Sequence, residues 1–359
     1  MAGIAIYGIE RRAPLPNAQS SIGKCKTTQT FTVLWSIYAG WMPWPYAQES
    51  GILDTWGCKY GIKINLQQAD YVPSIEAYVA GKADAVLMTN MDAMNFAGTG
   101  GIDSTAIIMG DYSNGNDAVI TRDGLGLCDL KNKNINLVQY SVSHYLLARA
   151  LETECTGQSA EKDLHIVNAS DSDIGPVFVS NATQPAVVTW NPMLLTILSQ
   201  VPEAKKVFDS SQIPYEILDI MFVRTDVVTA HPELARALTG AWYETLAIMK
   251  ASSPEAERAL KQMADRSGTS VDLYKQQLKT TNLWYTPKEA AEITRSQTIK
   301  DITPQVAEFS FKHGLYGPNA KSAEAVGVSF PDGSIFGDNN NVKIRYTDQF
   351  MQEAATDKQ

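Results

Sequence analysis

The segment FTVLWSI, residues 31–37, decides the fold together with the pattern that follows it. Its apolar and β-branched residues predict a buried strand, and Pro45–Leu53 predicts a short helix directly after it. A second strand is expected at Ile62–Gln67, followed by a helix at Ser74–Val79 that ends at the C-cap glycine Gly81. This alternation of strand and helix is typical of an α/β fold with a mostly parallel sheet and helices on both faces.

The alternation continues through a second cycle after the break at residues 124–126. Further strands are predicted at Ala85–Met88, Thr105–Met109, Ile135–Val138, Leu164–Val167, Ala186–Thr189 and Leu218–Arg224. The last of these returns the chain to the first sheet, so we expect two lobes with mixed, mostly parallel sheets and two crossovers. The expected boundaries are 1–27 for a leader, 28–121 plus 219–359 for the first lobe, and 122–218 for the second. A ligand cleft between the lobes follows, because open α/β sheets bind ligands at the carboxyl ends of their strands.

The composition limits the partners of the protein. The 359 residues carry a formal net charge of −9, and the sequence pI is near 5.1. Such an acidic chain disfavours nucleic acid as a partner. No apolar run approaches the roughly 20 residues that a membrane-spanning helix needs. We expect a soluble monomer that carries no cofactor.

The N-terminal sequence predicts export. Ala2–Ile9 is a short apolar run with Glu10, Arg11 and Arg12 after it, which is the reverse of the order in a signal peptide. We interpret this run as the tail of a trimmed export segment, which places the protein in the periplasm or on the outer face of a bacterial cell membrane. The alternative is a disordered leader followed by a linker.

The four cysteines are Cys25, Cys58, Cys128 and Cys155, and they form no CxxC pair. Their spacing therefore suits neither a zinc site nor a redox dithiol. An even number fits two disulfides in an exported protein. The first two each precede a predicted strand, and the last two flank one strand–helix unit, which favours Cys25–Cys58 and Cys128–Cys155 among the three possible pairings. Four free thiols in a cytosolic protein are the alternative.

Seven segments beside the ends of predicted strands contain many carboxylates and aromatic residues but no Lys or Arg. They are Trp35–Gln48, Met88–Ala97, Gly110–Asp117, Gln139–Leu146, Val167–Phe178, Val188–Met193 and Ile213–Phe222. If these segments line one cleft, that cleft favours a small cation, because a buried anion without a partner charge is costly.

Three short patterns resemble those of a known family. They are Gly81-Lys82-Ala83-Asp84, Ser141-Val142-Ser143-His144 and Trp190-Asn191-Pro192. The nitrate/sulfonate/taurine family of ABC-importer substrate-binding proteins usually has Gly-x-x-Asp, Ser-x-x-His/Tyr and Trp-Asp-Pro at these places. The resemblance extends from about Thr28 to Phe350. It implies a two-lobed periplasmic-binding-protein fold (type II) that closes over a small ligand and docks on an ABC permease in the membrane.

Residues 90–92, 110–117 and 216–219 are similar to the guanidine-associated branch of that family, which is described as urea transporters. Guanidinium offers planar N–H donors that a carboxylate accepts in pairs, and its face stacks on aromatic rings. We therefore predict guanidine as the ligand of a receptor. The expected contacts are charge pairing by Asp92, Asp111 and Asp219, ring walls at Trp41 and Trp190, neutral contacts from Ser141 and Asn191, and further contacts from Asp117, Glu216 and Tyr38.

Other ligands and another function class stay open. Urea is the near alternative, since amides and carboxylates also hold its N–H groups. Taurine, an alkylsulfonate or nitrate is the alternative that the family name suggests, and such an anion would need helix-start N–H groups to compensate its charge. A thiamine-pyrimidine synthesis enzyme shares the fold. However, the cysteines lack the iron-binding pattern expected there, and no phosphate loop, Gly-x-Ser-x-Gly or HExxH motif occurs.

Several acidic residues have a structural alternative to ligand binding. Asp171 and Asp173 stand where a helix is predicted to start, and we expect them to cap it. Asp92 could equally cap the short turn that follows it. Asp117 precedes a strand and could brace a turn through its side chain.

Overall fold

The structure is a computed structural model that describes residues 25–156, 161–318 and 320–356. The expected export segment, Ala2–Ile9, and nearly all of the leader lie outside the described residues. Within the described ranges, no helix is long and apolar enough to cross a bilayer. The chain folds there into two α/β lobes, each built on its own sheet.

The strands are numbered in chain order. They are β1 (Gln29–Trp35), β2 (Ile62–Gln68), β3 (Ala85–Thr89), β4 (Ser104–Ser113), β5 (Asp117–Thr121), β6 (Asn134–Leu137), β7 (His165–Asn168), β8 (Ala186–Trp190), β9 (Lys205–Asp209), β10 (Leu218–Arg224), β11 (Thr281–Leu283), β12 (Gly327–Ser329), β13 (Ile335–Phe336) and β14 (Val342–Tyr346).

The helices are numbered in the same way. They are α1 (Pro43–Glu49), α2 (Ile52–Lys59), α3 (Tyr71–Val79), α4 (Asn90–Asp92), α5 (Val142–Glu154), α6 (Asp171–Ser180), α7 (Met193–Gln200), α8 (Thr225–Ala230), α9 (Pro232–Lys250), α10 (Pro254–Arg266), α11 (Val271–Lys279), α12 (Pro287–Thr294), α13 (Gln297–Lys312) and α14 (Gln349–Thr356). The short helix α4 continues into a π-helical turn, Ala93–Gly98.

The first lobe contains a nine-stranded sheet in the order β13-β12-β14-β4-β10-β3-β1-β2, with β11 paired to β4. Strands β1, β2 and β3 are parallel, and β10 lies antiparallel between β3 and β4. Every residue of β3 is buried, as expected for a strand covered by helices on both faces. The return strand expected at Leu218–Arg224 is therefore confirmed as β10.

The second lobe contains a five-stranded sheet in the order β7-β6-β8-β5-β9. Strand β5 is antiparallel to both β8 and β9, whereas β6 is parallel to β7 and β8. The chain crosses between the lobes after β4 and again before β10. The boundary expected at residue 121 is therefore misplaced, since β5 already pairs in the second sheet. The break near Gly124, a residue with φ of +75°, is a turn after β5 and not a crossover.

Two further differences from the expected elements have local causes. The helix expected at Pro45–Leu53 is divided into α1 and α2, because Gly51 between them adopts φ of +82°. Strand β9 was not expected, since two lysines and an aspartate weaken its apolar pattern. Both expected disulfides are present. Cys25–Cys58 ties the start of the first lobe to α2, and Cys128–Cys155 ties the turn before β6 to the end of α5.

Candidate ligand-binding site

A small cavity lies between the two lobes. Its volume is about 20 Å³, just above the roughly 10–15 Å³ that one ordered water needs. Nine residues from both lobes line it: Tyr38, Trp41, Tyr71, Thr89, Asp117, Val142, Trp190, Ile217 and Asp219. None of these nine is Lys or Arg. The wall therefore combines aromatic rings with carboxyl groups and carries no basic side chain.

Four aromatic rings stand in a continuous row around the cavity. The ring centroids of Tyr38 and Trp41 are 5.1 Å apart, those of Trp41 and Tyr71 5.8 Å, and those of Tyr71 and Trp190 5.6 Å. The first and last of these pairs meet edge to face, so that the row curves. Ring faces attract cations through their quadrupole, and a curved row presents such faces from more than one side.

Contacts between the lobes fix two of these rings. Trp190 ends β8, and its indole Nε1 donates a hydrogen bond to the Ile37 carbonyl at 3.0 Å. Trp41 ends a short 3-10 turn that starts at Ala39, whose N–H donates to the Asn191 carbonyl at 3.2 Å. The peptide bond between Asn191 and the next residue, Pro192, is cis. The aromatic wall is therefore assembled from backbone-anchored residues of both lobes.

Two carboxyl groups belong to the lining, one from each lobe. Asp117 opens β5 and accepts a hydrogen bond from Ser113 Oγ at 2.6 Å. Asp219 lies in β10, paired with Thr89 of β3 on one side and with Asp111 of β4 on the other. Asp117 and Asp219 are each only 3% exposed. Both carboxyls therefore face the cavity from a nearly dry environment.

Asp111 stands behind this wall. Its Oδ1 accepts a hydrogen bond from the Tyr38 hydroxyl at 2.7 Å, whereas Asp111 Oδ2 and Asp219 Oδ2 have no donor among the described residues. The two carboxyls interact with each other, and the pKa of both is raised, by burial first. Residue 40 has to be glycine here, because a Cβ would lie 2.4 Å from Asp111 Oδ2 and 2.5 Å from Tyr38 Cε1.

Asp92 is also one layer behind the lining. Its Oδ2 accepts hydrogen bonds from the Tyr71 hydroxyl at 2.7 Å, from Thr89 Oγ1 at 3.0 Å and from the Val142 N–H at 3.2 Å. The carboxyl is fully buried. Asp92 and Asp111, for which the sequence predicts charge pairing with a ligand, therefore lie behind the residues that line the cavity.

Burial raises the pKa values of the four carboxyls in and behind the cavity wall, which belong to Asp92, Asp111, Asp117 and Asp219. Loss of hydration raises the pKa of Asp92 to about 6, although hydrogen bonds from four donors oppose that rise. Burial likewise raises the pKa of Asp111 and of Asp117 to about 7. The pKa of Asp219 is raised furthest, by burial first and then by the neighbouring charges of Asp111 and Asp117. Because little positive charge compensates these four carboxylates, they keep their protons to a higher pH than an ordinary aspartate does.

Three other residues for which the sequence predicts ligand contacts do not line the cavity. Glu216 accepts two hydrogen bonds from Arg149, each 2.7 Å long, and one from the Tyr145 hydroxyl. Ser141 caps helix α5 and donates to the Val138 carbonyl at 2.7 Å. The Asn191 amide donates to Asn116 Oδ1 at 2.7 Å, and its oxygen accepts from the Leu195 N–H.

The seven segments without Lys or Arg converge to a large extent. Six of them contribute at least one lining residue, and the exception is 167–178. Asp171 of that segment lies one layer back, where it accepts a hydrogen bond from the Tyr71 N–H at 3.0 Å. The cap of α6 is Ser170, which accepts the Asp173 N–H at 3.1 Å, so neither aspartate is the N-cap that the sequence suggested.

Sequence reasoning missed Tyr71, whose ring completes the row between Trp41 and Trp190. The residue follows β2 directly after Ala69 and Asp70, in an eighth strand-end segment that also contains no Lys or Arg. The same criterion, a segment at a strand end without Lys or Arg, would have found this residue if it had been applied to the end of β2. Sequence reasoning also missed Arg149, because this arginine lies in the middle of α5 and is brought to Glu216 only by the tertiary fold.

A larger surface cavity of about 850 Å³ lies on the first lobe, beside the turn 93–98 and residues 316–318 and 320–326. Its charged side chains, Lys321, Glu324 and Asp338, are all exposed to solvent. Buried carboxyls and a row of edge-to-face and tilted aromatic rings are features of the interlobe cavity, which is therefore the better candidate site.

The comparisons with known proteins identify the fold. No protein-family model and no curated protein sequence matches the chain. The alkanesulfonate-binding protein SsuA of Xanthomonas axonopodis pv. citri, solved with bound MOPS, is similar in structure with a TM-score of 0.67 and 17% identity, covering 82% of this chain and 97% of that one.

Two other solved structures support the same conclusion. A Candida albicans protein, described as having the generic periplasmic binding protein structural fold, gives a TM-score of 0.61 at 13% identity over 82% and 93% of the two chains. The periplasmic nitrate-binding protein NrtA of Synechocystis PCC 6803 gives 0.56 at 12% identity over 91% and 98%. The chain therefore has the α/β, two-lobed fold of periplasmic binding proteins.

Proposed function

We propose that this protein is the solute-binding receptor of an ABC importer and that it captures a small monovalent cation, guanidinium, between its lobes. The observation that carries the proposal is the cavity wall, in which four aromatic rings and two buried carboxyls face a space without a basic side chain. Two further carboxyls, Asp92 and Asp111, stand directly behind that wall.

The sign of the ligand charge follows from the cost of burial. Once Asp117 and Asp219 have lost their protons, an anion beside them adds a third negative group to a site that already lacks compensation, and this costs several kcal/mol. A cation instead supplies the missing partner charge and lets the carboxyls release their protons. The raised pKa values of Asp111 and Asp117 support a site that is completed by a positive ligand.

The shape of the wall favours guanidinium over a metal ion. Hard cations such as Ca²⁺ take six to eight oxygen ligands, whereas rings supply much of this wall. Among the described residues, no group of three His, Cys, Asp or Glu side chains is arranged to hold a metal ion. A planar guanidinium can interact with both the carboxyls and the aromatic rings of the wall, because its edges donate to carboxylates and its faces stack on rings.

The size of the cavity argues against the larger anions named for the structural neighbours. At about 20 Å³ the cavity has room in this conformation for little more than one water, so a molecule as large as MOPS would need the lobes to open much further than guanidinium does. Nitrate is as small as guanidinium, so charge and not size separates these two ions. Nitrate is therefore the anion that an experiment has to include.

Urea is the second candidate, and the raised pKa values favour it. Burial and the neighbouring charges of Asp111 and Asp117 raise the pKa of Asp219, and a carboxyl that keeps its proton can donate a hydrogen bond to the urea carbonyl while other carboxylates accept from the amide groups. Urea and guanidinium have the same planar shape. They differ in charge, and the dependence of binding on pH separates them.

The remaining parts of the proposal concern context. Two disulfides support an oxidising compartment, such as the periplasm or the outer face of a bacterial membrane. A receptor of this kind delivers its ligand to a membrane permease and performs no chemistry on it. An enzyme of pyrimidine synthesis on the same fold is the third candidate, and turnover of ligand would identify it.

Calorimetry and thermal unfolding with four ligands test the proposal. Guanidinium chloride, urea, sodium nitrate and taurine are each added at about pH 8, above the pKa of about 7 at Asp117, and sodium chloride controls for ionic strength. We expect guanidinium to raise the unfolding temperature most, because a ligand stabilises in proportion to the logarithm of its concentration over Kd. Tight binding of nitrate or taurine without a response to guanidinium would overturn the cationic ligand.

A further inference from the structure

The start of helix α5 points into the cavity wall. Ser141 is the N-cap of this 13-residue helix, and Val142 is its first residue. Val142 lines the cavity. The N-terminus of a helix carries a partial positive charge and free N–H groups, so that it attracts anions. A ligand anion in this cavity would meet its best partner at Val142.

A side chain of the protein already takes this place. The Val142 N–H donates to Asp92 Oδ2 at 3.2 Å. Asp92 belongs to α4 of the first lobe, whereas α5 belongs to the second, so that this hydrogen bond crosses the cleft. The carboxylate is held in position by the Tyr71 hydroxyl at 2.7 Å and by Thr89 Oγ1 at 3.0 Å.

Capping of the helix does not explain this contact. Ser141 Oγ accepts the Ser143 N–H at 3.2 Å and thereby caps α5 in the usual way. The turn that starts at α4 has its own cap, since Thr89 Oγ1 accepts the Asp92 N–H at 3.3 Å. Asp92 is fully buried, and burying a carboxylate to satisfy one N–H that a water or a ligand could satisfy is costly.

We infer that Asp92 sets the charge selectivity of the cavity, because its carboxylate fills the anion position at the start of α5 and so excludes ligand anions. This inference rests on the proposed function and deepens it. In this arrangement Asp117 and Asp219 contact the ligand, and Asp92 acts from behind them as a specificity-determining residue. Removing Asp92 leaves the helix N-terminus open to an anion from solution.

The experiment uses a background without charge on the cavity wall. The double variant Asp117→Asn/Asp219→Asn keeps the shape of the wall and removes its two carboxylates. Adding Asp92→Ala to this background vacates the start of α5. Both variants are titrated with sodium nitrate and with methanesulfonate by calorimetry. We expect the triple variant to bind one of these anions roughly tenfold or more tightly than the double variant, since an open helix start and the loss of one negative charge act together.

A fourth substitution tests whether the Val142 N–H is the group that donates a hydrogen bond to the anion. Val142→Pro removes the N–H at the first helical position, where proline is tolerated, and Ser141 before it already has the extended conformation that proline requires. Added to the triple variant, it should remove the gain in anion affinity. A gain that persists without this N–H would show that α5 does not bind the anion and would overturn the inference.

The remaining outcomes are also decisive. A triple variant that unfolds cooperatively like the double variant but binds neither anion overturns the role of Asp92. If the alanine variant does not fold, Asp92→Ser in the same background is judged by the same criterion, since the shorter serine side chain also vacates the position beside the Val142 N–H. The wild-type titration separates the two proposals. If the wild type binds nitrate but not guanidinium, the proposed function is wrong. If the wild type binds guanidinium and the triple variant gains no affinity for anions, only the inference on Asp92 is wrong.

Discussion

Asp219 and Asp111 lie directly opposite each other on the antiparallel strands β10 and β4. Like charges at such positions repel each other and destabilise a sheet, and both side chains are buried without a cation among their described neighbours. The Tyr38 hydroxyl supplies a hydrogen bond to one of the two carboxyls. Burial and mutual repulsion therefore make this pair retain a proton, and a ligand cation can take the place of that proton.

The first prediction concerns Asp219→Asn. We expect guanidinium affinity at about pH 8 to fall roughly 10- to 100-fold, because a charge-assisted hydrogen bond contributes about 1.5–3 kcal/mol. The ligand-free variant should at the same time be more stable than the wild type at that pH, since removal of one carboxyl relieves the repulsion with Asp111. Calorimetry measures the first effect and thermal unfolding the second.

The matched control for this prediction is Asp226→Asn, which removes a carboxyl that is mostly exposed to solvent. It should change neither quantity appreciably, because exposed charges contribute little to stability. A loss of guanidinium affinity together with a loss of stability in Asp219→Asn would mean that the carboxyl supports the fold and not the ligand.

The second prediction concerns pH. The pKa of Asp117 is about 7 in the folded protein and about 3.9 in an unfolded chain, so the folded state binds this proton more tightly. The stability of the ligand-free protein should therefore fall as the pH rises from about 4 to about 7. Guanidinium stays charged in this range, and its affinity should rise over the upper part of the same range as protons leave. Unfolding and titration series between these pH values measure both trends.

Urea is the control ligand for the pH series. It carries no charge, so its binding should change little or weaken as the carboxyls lose their protons. Protons released on guanidinium binding can be counted by calorimetry in buffers of different ionisation enthalpy. Flat guanidinium affinity from pH 6 to 8 with no proton release would contradict a role for Asp111 and Asp117 in charge pairing.

The larger features of the fold could be predicted from the sequence, because they depend on local patterns of apolar, polar and glycine residues. The strand predicted at 31–37 appears as β1, two residues earlier in the chain, and the helix stop near Gly81 and the apolar return strand at 218–224 appear as expected. Strand-end segments also predicted most of the cavity wall, because the carboxyl ends of neighbouring parallel strands meet at one edge. Strand β5 was harder to place, since pairing partners and not composition assign it to the second sheet.

The roles of single carboxylates could not be predicted in the same way. Glu216 and Asp219 are three residues apart and each carries a carboxyl group, yet Glu216 pairs with Arg149 and Asp219 lines the cavity. Glu216 and Asp219 differ in environment because side chains alternate in direction near the start of β10. In addition, Arg149 reaches Glu216 from helix α5, which is distant in sequence. Likewise, nothing in the sequence indicates that the N–H of Val142 reaches Asp92 across the cleft.

The third prediction tests the aromatic wall. Trp41→Leu should weaken guanidinium binding by about 0.5–2 kcal/mol, because it removes a ring face beside a desolvated cation. Trp41→Phe is the matched control, since it keeps a ring and since Trp41 Nε1 has no hydrogen-bond partner among the described residues. Calorimetry should rank wild type, phenylalanine variant and leucine variant in that order. Equal losses in both variants would show that volume and not the ring face matters.

The fourth prediction separates structure from binding at Glu216. Glu216→Gln should destabilise the protein by about 1–3 kcal/mol, because Arg149 loses a partner with which it makes two 2.7 Å hydrogen bonds and because the site is only partly exposed. Guanidinium and urea affinities should fall by the same factor, since Glu216 does not line the cavity. Denaturant unfolding measures the first quantity and parallel titrations the second. A selective loss of guanidinium would instead place the charge of Glu216 within reach of the ligand, and it would require a cavity wider than the one formed by Tyr38, Trp41 and Asp219.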